Sequence, residues 1–238
     1  MPHENFKTSL GRINTSWATR MCKRYDLIVF DWDGTVMDST AIIARSIQMA
    51  CHDVGLPIPD DKAARYVIGL GLDQALRHAV PTLTEAQYPS LVASYRQHFF
   101  AQDGEIPLFE GARETIAGLS ESGYQLAVAT GKTHAGLTRA MESSDMTHYF
   151  QATRTADRTF SKPNPAMLLE LMDELSVSAE RTLMIGDTTH DLQMAHNAQV
   201  DVVAMGHGAH SEEQLLALNP LALVEDFVEL QAWFRKNA

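Results

Sequence analysis

The stretch YDLIVFDWDGTVMD, Tyr25 to Asp38, sets two carboxylates, Asp31 and Asp33, directly after the unbroken apolar run Leu27 to Phe30. Such a run reads as a strand covered on both faces, and Gly34-Thr35 turns the chain sharply at its end. The two acids therefore sit at the carboxyl edge of a sheet, where open α/β folds bind ligands. They alternate along the chain, and side chains two apart in an extended segment point the same way, so both can face one substrate. A competing reading makes an Asp here the N-cap of a helix beginning near Ser39 or Thr40.

A second acidic group weighs against mere capping. Thr182 to Ile185 is another short apolar strand, and it runs into Gly186-Asp187-Thr188-Thr189-His190-Asp191. Asp187 and Asp191 are four apart, which places them on one face if a helix starts here. Between the two acidic groups lie Thr130-Gly131, after the strand-like Gln125 to Ala129, and Lys162 in the Pro-bounded segment Ser161 to Pro165. Alone, Lys162 reads as a solvated loop residue, Thr130 as a strand end and Asp191 as a helix start. Together they predict that a hydroxyl, an ammonium and four carboxylates converge.

These motifs, in this order, resemble those of the haloacid-dehalogenase superfamily, and the layout looks most like its phosphoglycolate-phosphatase-like branch with a helical cap. The resemblance runs from about Tyr25 onward: DWDGT at Asp31, a strand ending in Thr130, the isolated Lys162 and GDTTHD at Asp187. It implies that Asp31 is a nucleophile forming an aspartyl-phosphate and that Asp33 is the general acid and base. It further implies Mg²⁺ held by Asp31, the main-chain carbonyl of Asp33, Asp187 and Asp191, the last directly or through water. Thr130, the amides near Gly131, and Lys162 then bind the phosphoryl group. Four acids outnumber the charge of one Mg²⁺ and Lys162, and like charges raise the proton affinity of at least one member, with Asp33 the natural candidate. The implied substrate is a small phosphorylated metabolite such as 2-phosphoglycolate. A phosphomutase of the same fold and a noncatalytic binding protein are the alternatives. Trp32, Gly131 and Lys132 depart from the common pattern; the first two are expected to reshape the pocket floor, and Lys132 to add positive charge near a leaving group. His190 and His196 invite a zinc reading, which the oxygen-rich cluster opposes.

The fold class that follows is α/β: a Rossmann-like parallel sheet with helices on both faces and an inserted helical cap. Residues 1–20 read as a flexible tail, 21–38 and 108–238 as the core, and 39–107 as the cap. Met21 is a second candidate start, and Phe6 and Trp17 are candidates for docking on the body. In the cap, Ile42, Ile43, Ile47, Ala50 and Val54 recur at helical spacing until Gly55 and Pro57. Asp60 or Asp61 caps a helix through Val67, Leu72 to Val80 forms the next, and Leu91 to Ala101 follows Thr84-Glu85-Ala86-Gln87, read as a capping box with Pro89 early in the helix. Val67-Ile68-Gly69-Leu70-Gly71-Leu72 reads as a substrate-contacting loop or an interhelix turn, and Arg65, Arg77 and His78 as candidates for a substrate carboxylate. In the core, helices are expected over 112–122, 133–143 and 165–175, strands over 125–129, 182–186 and 202–205, an edge strand over 221–224, and a terminal helix packing Phe227, Leu230, Trp233 and Phe234.

At 238 residues and 45% hydrophobic, the chain can bury a sizeable core with a smaller module beside it. Its formal charge of −11 argues against a nucleic-acid binder, because attraction to an anion must then be local. No stretch approaches the roughly 20 apolar residues of a membrane span. Cys22 and Cys51, far apart and outside any CxxC, suggest reduced thiols in a cytoplasm. A monomer or homodimer is expected.

Overall fold

The computed structural model describes residues 23–102, 104 and 106–238. The readings made for residues 1–20, for Met21 and for Cys22 lie outside the described residues.

The chain enters through β1 (Leu27–Phe30) and then forms four helices in succession: α1 (Thr40–Asp53), α2 (Asp61–Tyr66), α3 (Leu72–Ala79) and α4 (Tyr88–Phe100). It continues through α5 (Ala112–Glu121), β2 (Gln125–Thr130), α6 (His134–Ser143), β3 (Ala152–Thr155), α7 (Ala166–Leu175), β4 (Thr182–Gly186) and α8 (Thr189–Asn197). β5 (Asp201–Met205), α9 (Glu212–Leu216), β6 (Ala222–Val224) and α10 (Phe227–Asn237) complete it.

Among the described residues these strands form one sheet in the order β3-β2-β1-β4-β5-β6, all neighbours parallel. The order reverses at β1, which pairs with β2 on one side and β4 on the other, and such a reversal opens a crevice beyond the strand ends. Successive β1 residues divide between the two faces. Ile28 and Phe30 join a core with Ile116 of α5, Leu137 of α6 and Phe227 of α10, while Leu27 and Val29 join one with Leu168 of α7 and Leu192 of α8. Covering on both faces explains why β1 is apolar without alternation.

The four helices after β1 leave and return along one path. Asp38 N donates to Pro107 O and Phe109 N to Val36 O, each at 3.0 Å, and Met37 bridges Leu108. Within that insertion Ile43 and Ile47 of α1 pack into the same apolar cluster as Leu91 and Phe99 of α4. Asp60 caps α2, accepting from Ala63 N at 2.7 Å. The capping box expected at Thr84 to Gln87 does not start α4. Gln87 Oε1 accepts from Thr84 N and Oγ1, closing a turn ahead of a helix whose first residue is Tyr88 with Pro89 in its first turn. Two elements, β3 and α9, were not anticipated.

Candidate active site

β1 delivers Asp31 to the crevice, because its pairing with β4 carries one residue past the strand, Asp31 N donating to Ile185 O at 2.9 Å. β4 ends at Gly186, so Asp187 emerges beside it, held by Thr35 Oγ1 (2.6 Å) and Ala209 N (2.7 Å). Asp191 stands in the first turn of α8, where it completes a capping box with Thr188. Its Oδ2 accepts from Thr188 N and Oγ1 at 3.1 and 2.6 Å, which leaves Oδ1 to Lys162. Lys162 Nζ bridges Asp31 Oδ1 and Asp191 Oδ1, 2.7 Å from each. Lys162, Asp31, Asp187 and Asp191 all have no solvent exposure. The solvated-loop reading of Lys162 therefore fails, since the chain folds its ammonium inward between two acids.

Three carboxylates against one lysine leave this cluster short of positive charge. Burial pushes the Asp31 carboxyl well above the usual range, with Lys162 opposing and Asp191 and Asp187 adding to the rise. Burial and then Asp191 push Asp187 up to about 7. For Lys162 burial acts downward, but Asp191 and Asp31 outweigh it and hold the ammonium above its ordinary value. Removing such ions from water costs several kcal/mol each, so a fold would not keep them for packing alone. Asp31, Asp187 and Asp191 each offer an oxygen within 4.8 Å of the others, and Asp31 Oδ2 is buried without a hydrogen-bond partner. An all-oxygen, net-negative set with an orphaned acceptor fits a hard divalent cation such as Mg²⁺.

Asp33 stands apart from that cluster, contrary to the expectation of four converging acids. Its Oδ1 accepts from Ser39 Oγ at 2.6 Å and pairs with Lys132 Nζ at 3.0 Å, both partners being nearly buried. Asp33 thus has a lysine of its own, outside the pair that Lys162 bridges. Thr130 ends β2, two residues beyond the Phe30–Val128 pairing, and its Oγ1 accepts from Lys132 N at 3.2 Å. Trp32, expected in the pocket floor, is instead buried in the core edge-on to Phe150, since alternation turns it away from Asp31 and Asp33.

The Val67 to Leu72 loop roofs the cluster. At Gly131 a Cβ would meet Leu70 O at 2.4 Å and Gly69 O at 2.6 Å, so only glycine admits that backbone. A Cβ built on Gly69 would lie 3.2 Å from Thr188 Oγ1 and 3.8 Å from Asp31 Oδ2, and Gly71 N donates to Ser161 Oγ at 2.8 Å. The segment joins α2 to α3, as an interhelix turn does, and lies over the carboxylates. Beside it a cavity of about 110 Å³ reaches down to Asp33 and Lys132 between walls that include Ile47, Ile68, Leu72 and Phe99. Lys132 Nζ also lies 4.8 Å over the Phe99 ring. Arg96 of α4 lines the cavity and forms no ion pair among the described residues.

Arg65, Arg77 and His78 do not line it. Arg65 pairs with Asp61, Arg77 with Asp73 and Glu85, and His78 packs against Tyr66. His190 donates to Tyr66 O (2.8 Å) and His196 is exposed, so neither joins the carboxylates. Sequence reasoning missed Ser39 as a partner of Asp33, Arg96 and His210. Arg96 looks like any arginine on an exposed helical face, and no local signal separates it from the others.

A parallel sheet reversing at β1, with buried acids and a lysine beyond it, defines an α/β protein with a candidate active site under a helical roof. The family model described as haloacid dehalogenase-like hydrolase matches residues 28–205, and the chain belongs to that family. It is 35% identical over 210 residues to a probable phosphatase, IndB, of Dickeya dadantii (strain 3937), covering 86% of this chain and 91% of the relative. It is 30% identical over 216 residues to a phosphoglycolate phosphatase of Aliivibrio fischeri (strain ATCC 700601 / ES114), covering 87% and 95%. A crystal structure described as a predicted phosphoglycolate phosphatase from Haemophilus somnus 129pt superposes with a TM-score of 0.80 at 25% identity, covering 88% of this chain and 98% of that one. The protein is thus a family hydrolase similar to phosphatases.

Proposed function

We propose that the protein is a Mg²⁺-dependent phosphatase that hydrolyses a small phosphomonoester through an aspartyl-phosphate on Asp31. The observation that carries this reading is the sealed Asp31–Lys162–Asp191 triad beside Asp187, with Asp31 Oδ2 left without a partner. In this reading Asp31, the Asp33 carbonyl, Asp187 and Asp191 would hold Mg²⁺, which would offset the repulsion between a carboxylate and an anionic phosphate. Lys162, Thr130 and the main-chain amides near Gly131 bind the phosphoryl oxygens. Asp31 attacks phosphorus as the ester oxygen leaves, and Asp33 gives that oxygen a proton. Asp33 then takes a proton from water, which attacks phosphorus, releases inorganic phosphate and restores Asp31.

Residues 39–107 act as the cap in this scheme, and the cavity beneath it receives the leaving group. Its walls are mostly apolar, with Lys132 and Arg96 as cations and Asp33 as an acid. That lining supports a compact organic leaving group bearing one carboxylate, as in 2-phosphoglycolate. Cys51, a buried free thiol, suits a reducing cytoplasm. No helix among the described residues is long and apolar enough to cross a membrane.

The test is a panel of phosphorylated metabolites assayed with and without Mg²⁺. Phosphate release that requires Mg²⁺ and favours carboxylated monoesters is expected. Isomerised sugar phosphate without release would point to a phosphomutase, and inactivity across the panel to a noncatalytic role.

A further inference from the structure

Two histidines from separate parts of the core meet on one carbonyl of the cap. His190, in the first turn of α8, and His210, in the loop after β5, each place Nε2 on Tyr66 O, at 2.8 and 3.0 Å. A carbonyl oxygen only accepts, so both rings must carry hydrogen on Nε2. For His210 the other nitrogen agrees, since Nδ1 accepts from Thr189 N at 3.0 Å. The rings also enclose the Tyr66 side chain: His210 stacks on it at 5.1 Å and 5°, and His190 meets it edge-on at 5.3 Å and 76°. Both imidazoles are nearly buried, with 5% and 3% exposure.

The gripped residue is the last of α2 and immediately precedes the Val67 to Leu72 loop. Asp31 has no exposure beneath that loop, so a substrate reaches it only when the loop moves away. The same α8 turn that supplies His190 supplies Asp191, tying the grip to the acid cluster. We infer that His190 and His210 are positioning residues, a two-imidazole clasp on Tyr66 O that sets the cap loop over Asp31. They touch neither the reacting atoms nor the carboxylate oxygens, and act through the backbone that they hold.

Only the activity readout of this inference rests on the proposed phosphatase reaction; the exchange readout does not. The test compares His210→Phe, which keeps a ring against Tyr66 but loses the donor, with His210→Gln, which restores a donor. In the full chain with Mg²⁺, His210→Phe is expected to speed amide hydrogen exchange across residues 64–72 at least tenfold while β1 and β4 stay protected. It should lower kcat/KM for p-nitrophenyl phosphate at least tenfold, and His210→Gln should recover most of both losses. Where His210→Phe does not fold, through-hydrogen-bond couplings from His190 and His210 Nε2 to the Tyr66 carbonyl carbon in the unmodified chain decide the matter, and both are expected. Exchange within twofold of the parent, failure of glutamine to rescue, or missing couplings would overturn the clasp. An unmodified protein that turns over no ester, yet shows the exchange change, would remove the phosphatase reading and leave the clasp standing.

Discussion

The floor of the site and its roof are built on opposite principles. The floor is made of strand ends, one helix start and the loop that carries Lys162, and it packs Asp31, Lys162, Asp187 and Asp191 with no exposure at all. The roof is made of loop backbone and apolar helix faces, with Gly69 and Leu70 carbonyls against Gly131 and a cavity walled by aliphatic and aromatic side chains. A floor of this kind fixes which reaction is possible, because its charges cannot move without exposing unpaired neighbours. In the proposed reaction the roof selects which molecule reaches that floor and moves to admit it.

Substitutions on the two sides should therefore fail differently. The largest effect is expected at the floor: Asp31→Asn is nearly isosteric but a far poorer nucleophile, so steady-state assays should show a loss of roughly 10³-fold or more with the thermal unfolding profile retained. At the seam, Gly131→Ala drives a Cβ into Leu70 O and must displace the roof. Its kcat/KM should fall by up to roughly 10²-fold, with the core strands still protected from hydrogen exchange.

Acidity tests the floor alone. Metal ligands must be ionised, and burial pushes Asp187 up to about 7, so Mg²⁺ affinity should weaken as pH falls through that value. Calorimetric titrations from pH 8 to pH 6 should show a decline of roughly tenfold per unit for each proton displaced. The smallest effect belongs to the roof's specificity. Lys132→Met should cut the preference for carboxylated over uncharged phosphomonoesters by roughly tenfold, whatever it does to overall rate through Asp33.

The same contrast governs what the amino-acid sequence reveals. Floor residues follow short apolar runs bounded by turn signals, which read as strands, so Asp31, Thr130 and Asp187 could be placed at the ends of β1, β2 and β4 from local pattern. Lys162 needed the company of those motifs, since nothing around it signals burial. β3, with the sequence Ala152-Thr-Arg-Thr155, is a half-polar edge strand without an apolar run, and its pairing comes from β2. α9 carries a local signal, the Ser211 and Gln214 capping box, but the helix it opens has only five residues, too few to show a helical period. The roof was less legible. The glycines of the Val67 to Leu72 loop marked it as special, but Lys132 on Asp33, Arg96 in the cavity and two histidines on Tyr66 O arise from segments far apart in the chain.

The proposed reaction depends on Asp31 forming a covalent bond to phosphorus. Rapid acid quenching during turnover, followed by peptide mapping, measures that directly. A phosphoryl group is expected on the peptide carrying Asp31 and is expected to be absent from Asp31→Asn. Turnover with no labelled peptide, or with the label on another residue, would contradict it.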